Sequence, residues 1–392
     1  MTTASSTPTN FSKRKKRNGY PLWLNLHLYL GLSIGLIFVL AGLTGSALVF
    51  YVELDELLNP ALQITEEQSR QKPQPYEALF QSIRKSQPER NGAWRLEAPR
   101  HSQAMVMARY YKAKEKEHVH FAPLIAWVNP YTAEVVSTRF WGDYVMTWIY
   151  DLHYELLLDT TGKILMGIIG ILLLFVVLIG VYLWWPKPGK LKSALTFKPN
   201  ASTERFIYDL HKVNGMYGLL VLFLLLVSGA ILELPDYFNP LLNKLSPLYE
   251  PPANFSSGTL DKTRISLDEA VTIATNRYPQ AQVRWIETPA NERGTFNIKL
   301  YQDGEPSKRF PKTTVWIDQY NGKIVSMREP KSQGFGDTFL NWMHPLHSGE
   351  IAGLPGRILV LASGFVPLAL YVTGLLRWRQ KRRAKIRKTL VI

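Results

Sequence analysis

Four of the eight histidines in this 392-residue chain stand at positions that the sequence states twice. Residues 142–165, GDYVMTWIYDLHYELLLDTTGKIL, align without a gap with residues 336–359, GDTFLNWMHPLHSGEIAGLPGRIL, which sets His153 on His347. Leu26-His27 with Gly31 four residues on matches Leu210-His211 with Gly215 four residues on. A duplication that repeats both histidines predicts two pairs of imidazoles, and two imidazoles on facing helices can share one iron. One interfacial histidine alone is better read as hydrogen-bonded to a backbone carbonyl. Four matched ones, beside apolar runs where an ionisable group is costly, point to a functional site.

The elements that must position them are apolar helices. Four runs stand out, roughly Leu22–Tyr51, Ile164–Trp185, Met216–Leu234 and Ile358–Leu376, each near or above the ~20 residues that a helix needs to cross a bilayer. Trp23, Trp184, Trp185 and Trp378 flank them, where amphipathic rings suit the headgroup level. The net charge of +15 is concentrated in three places: Lys13 to Arg17, the segment 186–212 with six basic residues against Glu204 and Asp209, and Arg377 to Lys388 with eight basic residues. The positive-inside rule puts all three in the cytoplasm, with both termini. The basic balance therefore calls for a lipid bilayer and not for nucleic acid. Helices 1 and 3 then run outward, which places His27 and His211 just inside the cytoplasmic face. His153 and His347 precede helices that run inward and lie at the opposite face.

The first apolar run is too long for a signal-peptide core and has no clear small-x-small cleavage site before its polar flank, so it is expected to remain as an anchor. No cysteine occurs, which excludes disulfides, cysteine-ligated iron–sulfur clusters and covalent haem attachment. The expected division is a basic tail (1–18), a first span (19–51), an outer α+β domain (52–143), an interfacial helix with a second span (144–186), a cytoplasmic loop (187–205), a third span (206–234), a second outer domain (235–335), an interfacial helix with a fourth span (336–378) and a basic tail (379–392).

Both outer segments repeat one order of elements. The first predicts a helix near Tyr76–Lys85, strands near Trp94–Ala98 and Ala104–Tyr111, and a hairpin from Leu124 to Thr138. In the second, Ser266-Leu267-Asp268-Glu269 is a capping box opening a helix that ends before Pro279. Strands near Gln282–Thr288 and Thr295–Tyr301 follow. The hairpins AWVNPYTAEVVS (126–137) and VWIDQYNGKIVS (315–326) align, with Asn-Gly as the turn of the second.

These duplicated Leu-His helices flanking two small α+β units resemble the PepSY-associated transmembrane family over nearly the whole chain. Within it the arrangement is similar to inner-membrane ferric-siderophore reductases of the ferrioxamine type. The resemblance implies a four-helix membrane protein with two PepSY-like periplasmic domains, two non-covalent b-type haems held by helix histidines, and electron delivery to a ferric siderophore in the periplasm. The donor would be a separate cytoplasmic flavoprotein or quinol, because the chain has no nucleotide-binding Gly-rich strand–helix signature.

Beside the axial pairs His27/His211 and His153/His347, further residues enter the reading. Gly31 and Gly215, one turn after a histidine, would let a flat porphyrin approach the backbone, or serve close helix packing. Lys163 and Arg357 open helices 2 and 4, where a cation could pair with a propionate or snorkel to water. His344 is an alternative to His347, set aside because it aligns with Tyr150. His153 is expected on its own amphipathic helix over Tyr144–Leu158. His118 and His120 alternate along an expected strand, and neither they nor His101 recur in the second copy. Residues 51–150 hold twelve basic and twelve acidic residues, so strong charge steering of a substrate is not expected. Two competing readings are a membrane-anchored PepSY module that binds peptides or regulates a peptidase without redox activity, which leaves the matched histidines unexplained, and a transporter, for which the apolar runs lack the buried acidic or basic residues expected on an ion path.

Overall fold

The computed structural model describes residues 19–251 and 263–389, so the basic cluster at 13–17 lies outside the described residues. In chain order the first copy contains α1 (Tyr20–Ser33), α2 (Gly35–Leu48), α3 (Tyr51–Leu58), α4 (Tyr76–Ser86), β1 (Trp94–Glu97), β2 (Val106–Tyr110), β3 (Leu124–Val128), β4 (Val135–Phe140), α5 (Val145–Glu155) and α6 (Asp159–Trp184). The second contains α7 (Thr203–Tyr217), α8 (Leu219–Glu233), α9 (Pro235–Leu245), α10 (Leu267–Arg277), β5 (Gln282–Glu287), β6 (Thr295–Tyr301), β7 (Thr313–Asp318), β8 (Ile324–Arg328), α11 (Phe335–Ser348), α12 (Gly353–Ser363) and α13 (Val366–Thr389).

Among the described residues two helices are long and apolar enough to cross a membrane, α6 and the 38-residue stretch Glu350–Arg387, which holds α12 and most of α13. The other two apolar runs, expected as single helices, are each a bent pair: α1 and α2 meet at 54°, α7 and α8 at 59°. Counted as one span each, they bring the number to four. The first break follows Ser33, whose hydroxyl donates to the carbonyls of Tyr29 and Leu30 at 2.8 and 3.2 Å and so competes with the helical ladder. The second falls at Gly218, between α7 and α8.

The helix carrying His153 is separate, as expected, but shorter: α5 stops at Glu155 because Leu156 and Leu157 take left-handed φ of 53° and 57°. The chain then restarts a helix at Asp159, five residues before the expected Ile164, drawing Asp159–Gly162 into α6. Gly162 permits this, since a Cβ there would meet the Glu155 carbonyl. The strand expected around His118 and His120 is a turn after a short 3-10 helix at Lys114–Lys116, and both histidines are exposed.

The two outer domains expected from the repeat are fused. Their strands form one eight-stranded antiparallel sheet in the order β4-β3-β2-β1-β5-β6-β7-β8. The seam pairs Arg95 with Glu287, Leu96 with Ile286 and Glu97 with Trp285. Each four-stranded copy would otherwise expose β1 or β5 as an open edge, and pairing the two satisfies both rows of backbone groups. One core runs across the seam, from Leu79, Trp94, Leu96 and Ala126 to Leu267, Ile286, Ile298 and Ile317. The helices over it exchange caps: Asp268 accepts from the backbone N–H of Tyr76 and Glu77 at 2.9 and 3.0 Å, and Glu77 accepts from that of Leu267 at 2.9 Å. The two hairpins match to the turn, where Gly322 (φ 69°) and its counterpart Ala133 (φ 59°) share the left-handed conformation.

Candidate site: two pairs of histidines between the apolar helices

The structure brings the four repeated histidines together as two pairs. His27 on α1 faces His211 on α7 with ring centres 6.2 Å apart and planes at 90°. His153 on α5 faces His347 on α11, again 6.2 Å between centres, with planes at 54°. Two imidazoles on one metal, at about 2 Å per bond and roughly 1 Å more from nitrogen to ring centre, stand about 6 Å apart.

Each ring is oriented from a neighbouring helix through Nδ1. His27 Nδ1 lies 3.0 Å from the Val176 carbonyl on α6. His211 Nδ1 lies 3.1 Å from the Leu370 carbonyl and 2.9 Å from Thr373 Oγ1 on α13. His153 Nδ1 meets Thr44 Oγ1 on α2 at 3.0 Å, and His347 Nδ1 meets Ser228 Oγ on α8 at 3.0 Å. A carbonyl only accepts, so His27 and His211 must donate from Nδ1. The hydroxyls of Thr44 and Ser228 already donate to the carbonyls of Leu40 (2.8 Å) and Leu224 (2.7 Å), so they too accept. All four imidazoles therefore carry their proton on Nδ1 and keep the Nε2 lone pair for a metal. This tautomer and spacing fit two bis-imidazole sites for b-type haem. No group of three or more metal-binding side chains exists among the described residues; a bis-histidine haem needs only two.

Four glycines back the rings, one on each orienting helix. A Cβ at Gly45 would stand 2.9 Å from His153 Cε1, at Gly229 3.0 Å from His347 Cε1, at Gly180 3.1 Å from His27 Cε1 and at Gly374 3.6 Å from His211 Cε1. Sequence reasoning missed these glycines and the hydroxyls before them. The signal was present: Thr44-Gly45 aligns with Ser228-Gly229, and Ile179-Gly180 with Thr373-Gly374, in the same repeat that aligns the histidines. Ile179 is the one position of the four without a hydroxyl.

The remaining sequence candidates divide. No atom lies within 4 Å of a Cβ built on Gly31, and at Gly215 Leu370 Cδ2 stands at 3.5 Å, so close helix packing does not require either glycine. Arg357 is held by Glu53 at 2.7 Å, by the Val49 carbonyl at 2.8 Å and over the Phe50 ring. Lys163 is half-buried at the start of α6. His344 turns away from the pair, its ring 4.3 Å from that of Phe310. His101 pairs with Glu56 at 3.3 Å.

The sheet and the two described basic segments, 186–212 and the one that begins at Arg377, occupy opposite ends of the apolar helices. Trp23 at the start of α1 packs against Tyr182 near the end of α6, and Arg377 on α13 donates to the Glu204 carbonyl, so residues 20–23, 182–204 and 377 gather at one end. His27 and His211 lie toward that end, His153 and His347 toward the sheet.

Residues 24–381 match the family described as PepSY-associated TM region. An uncharacterized protein of Pseudomonas aeruginosa is 25% identical over 253 residues, which cover 60% of this chain and 63% of the relative. The matched stretch thus spans less than two thirds of that protein's length.

Proposed function

The chain belongs to the PepSY-associated TM region family, and from that premise we propose that it is a di-haem b electron-transfer protein of a bacterial inner membrane, reducing ferric-siderophore iron(III) on the periplasmic side. In this reading each bent helix pair is one span, the four spans leave both termini in the cytoplasm, and the eight-stranded sheet is periplasmic. The observation that carries it is the fourfold repetition of one device: a histidine whose Nδ1 is bonded to a neighbouring helix, whose ring centre stands 6.2 Å from that of a second histidine, and whose ring lies on a glycine.

His27 with His211 and His153 with His347 would each hold a haem, which would supply a one-electron iron couple suited to electron transfer. The chain's own part is positioning. The Nδ1–H donation fixes each ring and raises the basicity of Nε2. His27 and Thr44 are 17 residues apart along one bent span, as are His211 and Ser228; at the helical rise the two levels are separated by at most about 25 Å. Two sites so spaced divide a hydrocarbon core ~30 Å thick. The electron comes from a quinol or a reduced cytoplasmic flavoprotein and ends on the chelated iron, whose hard oxygen ligands hold iron(II) less tightly than iron(III).

The visible spectrum of the detergent-purified chain, oxidised and then reduced with dithionite, tests the reading. Sharp reduced α and Soret bands at about two haems per chain are expected. A colourless protein after expression with ample haem would end it.

A further inference from the structure

Near the sheet-side end of the helices lies a pocket of about 680 Å³ lined from both copies, within the range of ligand sites for small molecules. Five cations line it: Arg100 from the first copy, Arg284, Lys308 and Arg309 from the second, and Arg357 from α12. Three acids line it as well, and all are engaged. Glu53 pairs with Arg357 at 2.7 Å. Glu305 accepts from the backbone N–H of Gln302 (3.1 Å) and Lys312 (2.6 Å) and from Thr313 Oγ1 (2.6 Å). Glu350 accepts from Ser307 Oγ at 2.9 Å. Among the described residues Arg100, Arg284, Lys308 and Arg309 have no acid within ion-pair distance. The near-neutral composition of the outer segments therefore hides a local concentration of positive charge. Burial, with Arg309 nearby, pushes the Arg100 guanidinium down to about 10, as such crowding requires.

The pocket also touches the redox side. Tyr51 and Trp342 line it, and Trp342 is on α11, five residues before His347. Arg309 lies over the rings of Tyr51 and Phe310 at 4.9 and 5.3 Å, and Phe310 meets His344 on the same helix. We propose that this pocket binds a polyanionic ferric chelate whose iron is held by catecholate or carboxylate oxygens, an assignment that rests on the redox reading above and gives it a substrate class. Arginine forks match anionic oxygen pairs, and the exposed ring of Trp342 suits aromatic chelating groups. An anionic lipid headgroup shares this chemistry, because Val49, Ile351 and Leu354 carry the rim toward the apolar helices.

Gallium(III) matches the charge and nearly the size of iron(III) but is not reduced, so its complexes separate binding from electron transfer. The full chain in phosphatidylcholine nanodiscs is titrated calorimetrically with the trianionic tris(2,3-dihydroxybenzoate) complex of gallium and with its uncharged tris(acetohydroxamate) complex. The variant Arg100→Gln/Lys308→Gln/Arg309→Gln should weaken the trianion by about tenfold or more and leave the uncharged complex unchanged, whereas Arg309→Lys, which keeps the charge and loses only the fork, should weaken the trianion much less than the triple variant does. Equal trianion affinity in wild type and the triple variant would overturn the proposal, as would an equal loss for both complexes. Loss of trianion binding by wild type in phosphatidylglycerol nanodiscs, together with less phosphatidylglycerol retained by the triple variant, would assign the pocket to lipid and overturn it too. Trianion binding by a chain that shows no haem bands would sink the redox reading alone; full haem bands without trianion binding would sink this proposal alone.

Discussion

Behind each imidazole stands a glycine whose missing side chain is needed to a different degree, and the four distances grade the consequence of restoring it. Alanine at 45 or 229 would bring a methyl within 2.9 or 3.0 Å of a histidine Cε1, closer than the ring can stay without breaking its Nδ1 bond. At 374 the same methyl would sit at 3.6 Å, and at 31 it would touch nothing within 4 Å. Gly45→Ala and Gly229→Ala are thus expected to lower the haem content of the His153/His347 site, with Gly374→Ala and Gly31→Ala like wild type. Haem per chain by the pyridine haemochrome spectrum checks this, and a uniform loss across all four would refute the contact argument. The hydroxyls make a second series. Thr44→Val removes the acceptor 3.0 Å from His153 Nδ1 and should weaken haem retention at that site roughly ten- to hundredfold. Ile179→Thr would give His27 the acceptor its three counterparts have. It should shift the midpoint potential of the His27/His211 site downward, because a more basic ligand favours iron(III), and leave the other site unmoved in a redox titration.

At the level of elements the seam between β1 and β5 decides whether the outer region is two domains or one. Leu96 and Ile286 face each other across it and both are fully buried. Arg95 and Glu287 pair beside them at 2.6 Å, and Thr288 Oγ1 accepts from the Trp94 N–H at 2.9 Å. Ile286→Ala removes buried methylenes from a core shared by both copies and should cost about 2–5 kcal/mol. Amide exchange should then rise in β2 and β6 together, whereas faster exchange confined to the second copy would show two independent folding units. The strands themselves were legible in the sequence because alternation and the Asn-Gly turn are local signals. The seam was not, since it joins residues 192 positions apart (95 and 287), and each copy's pattern reads equally well alone. The histidine pairing was legible because the repeat and the charge distribution together assign each one a membrane face. The bends at Ser33 and Gly218 were not, because hydropathy averages over a run and is blind to one hydroxyl that turns back on its own helix or to one glycine. Thr44, Ser228 and Thr373 escaped for the same reason: a hydroxyl inside an apolar run is ordinarily satisfied by its own backbone, and only the facing helix gives it a second role.

Taken whole, the molecule is polarised, with basic segments at one end, the sheet and its cationic pocket at the other, and one histidine pair toward each. Under the proposed function this polarity implies a direction of electron flow that a single experiment can read. The chain is reconstituted in proteoliposomes with its basic end inside, a membrane-impermeant reductant is enclosed, and a ferric catecholate is supplied only outside with a ferrous-specific dye. Wild type should form the coloured iron(II) complex. His153→Ala removes the imidazole paired with His347 and leaves untouched the His27/His211 pair, whose rings are set by Val176, Leu370 and Thr373. It should therefore keep the reducible absorbance of one haem and form little dye complex, since the remaining pair lies up to about 25 Å farther along the helices from the pocket. Reversing the gradient, with reductant outside and chelate enclosed, should give no iron(II) inside in either protein, because among the described residues that end carries short basic segments and no counterpart of the cationic pocket. Dye formation in His153→Ala at the wild-type rate would show that the pair near the sheet is not on the route, and with it the proposed order of the two sites would fall.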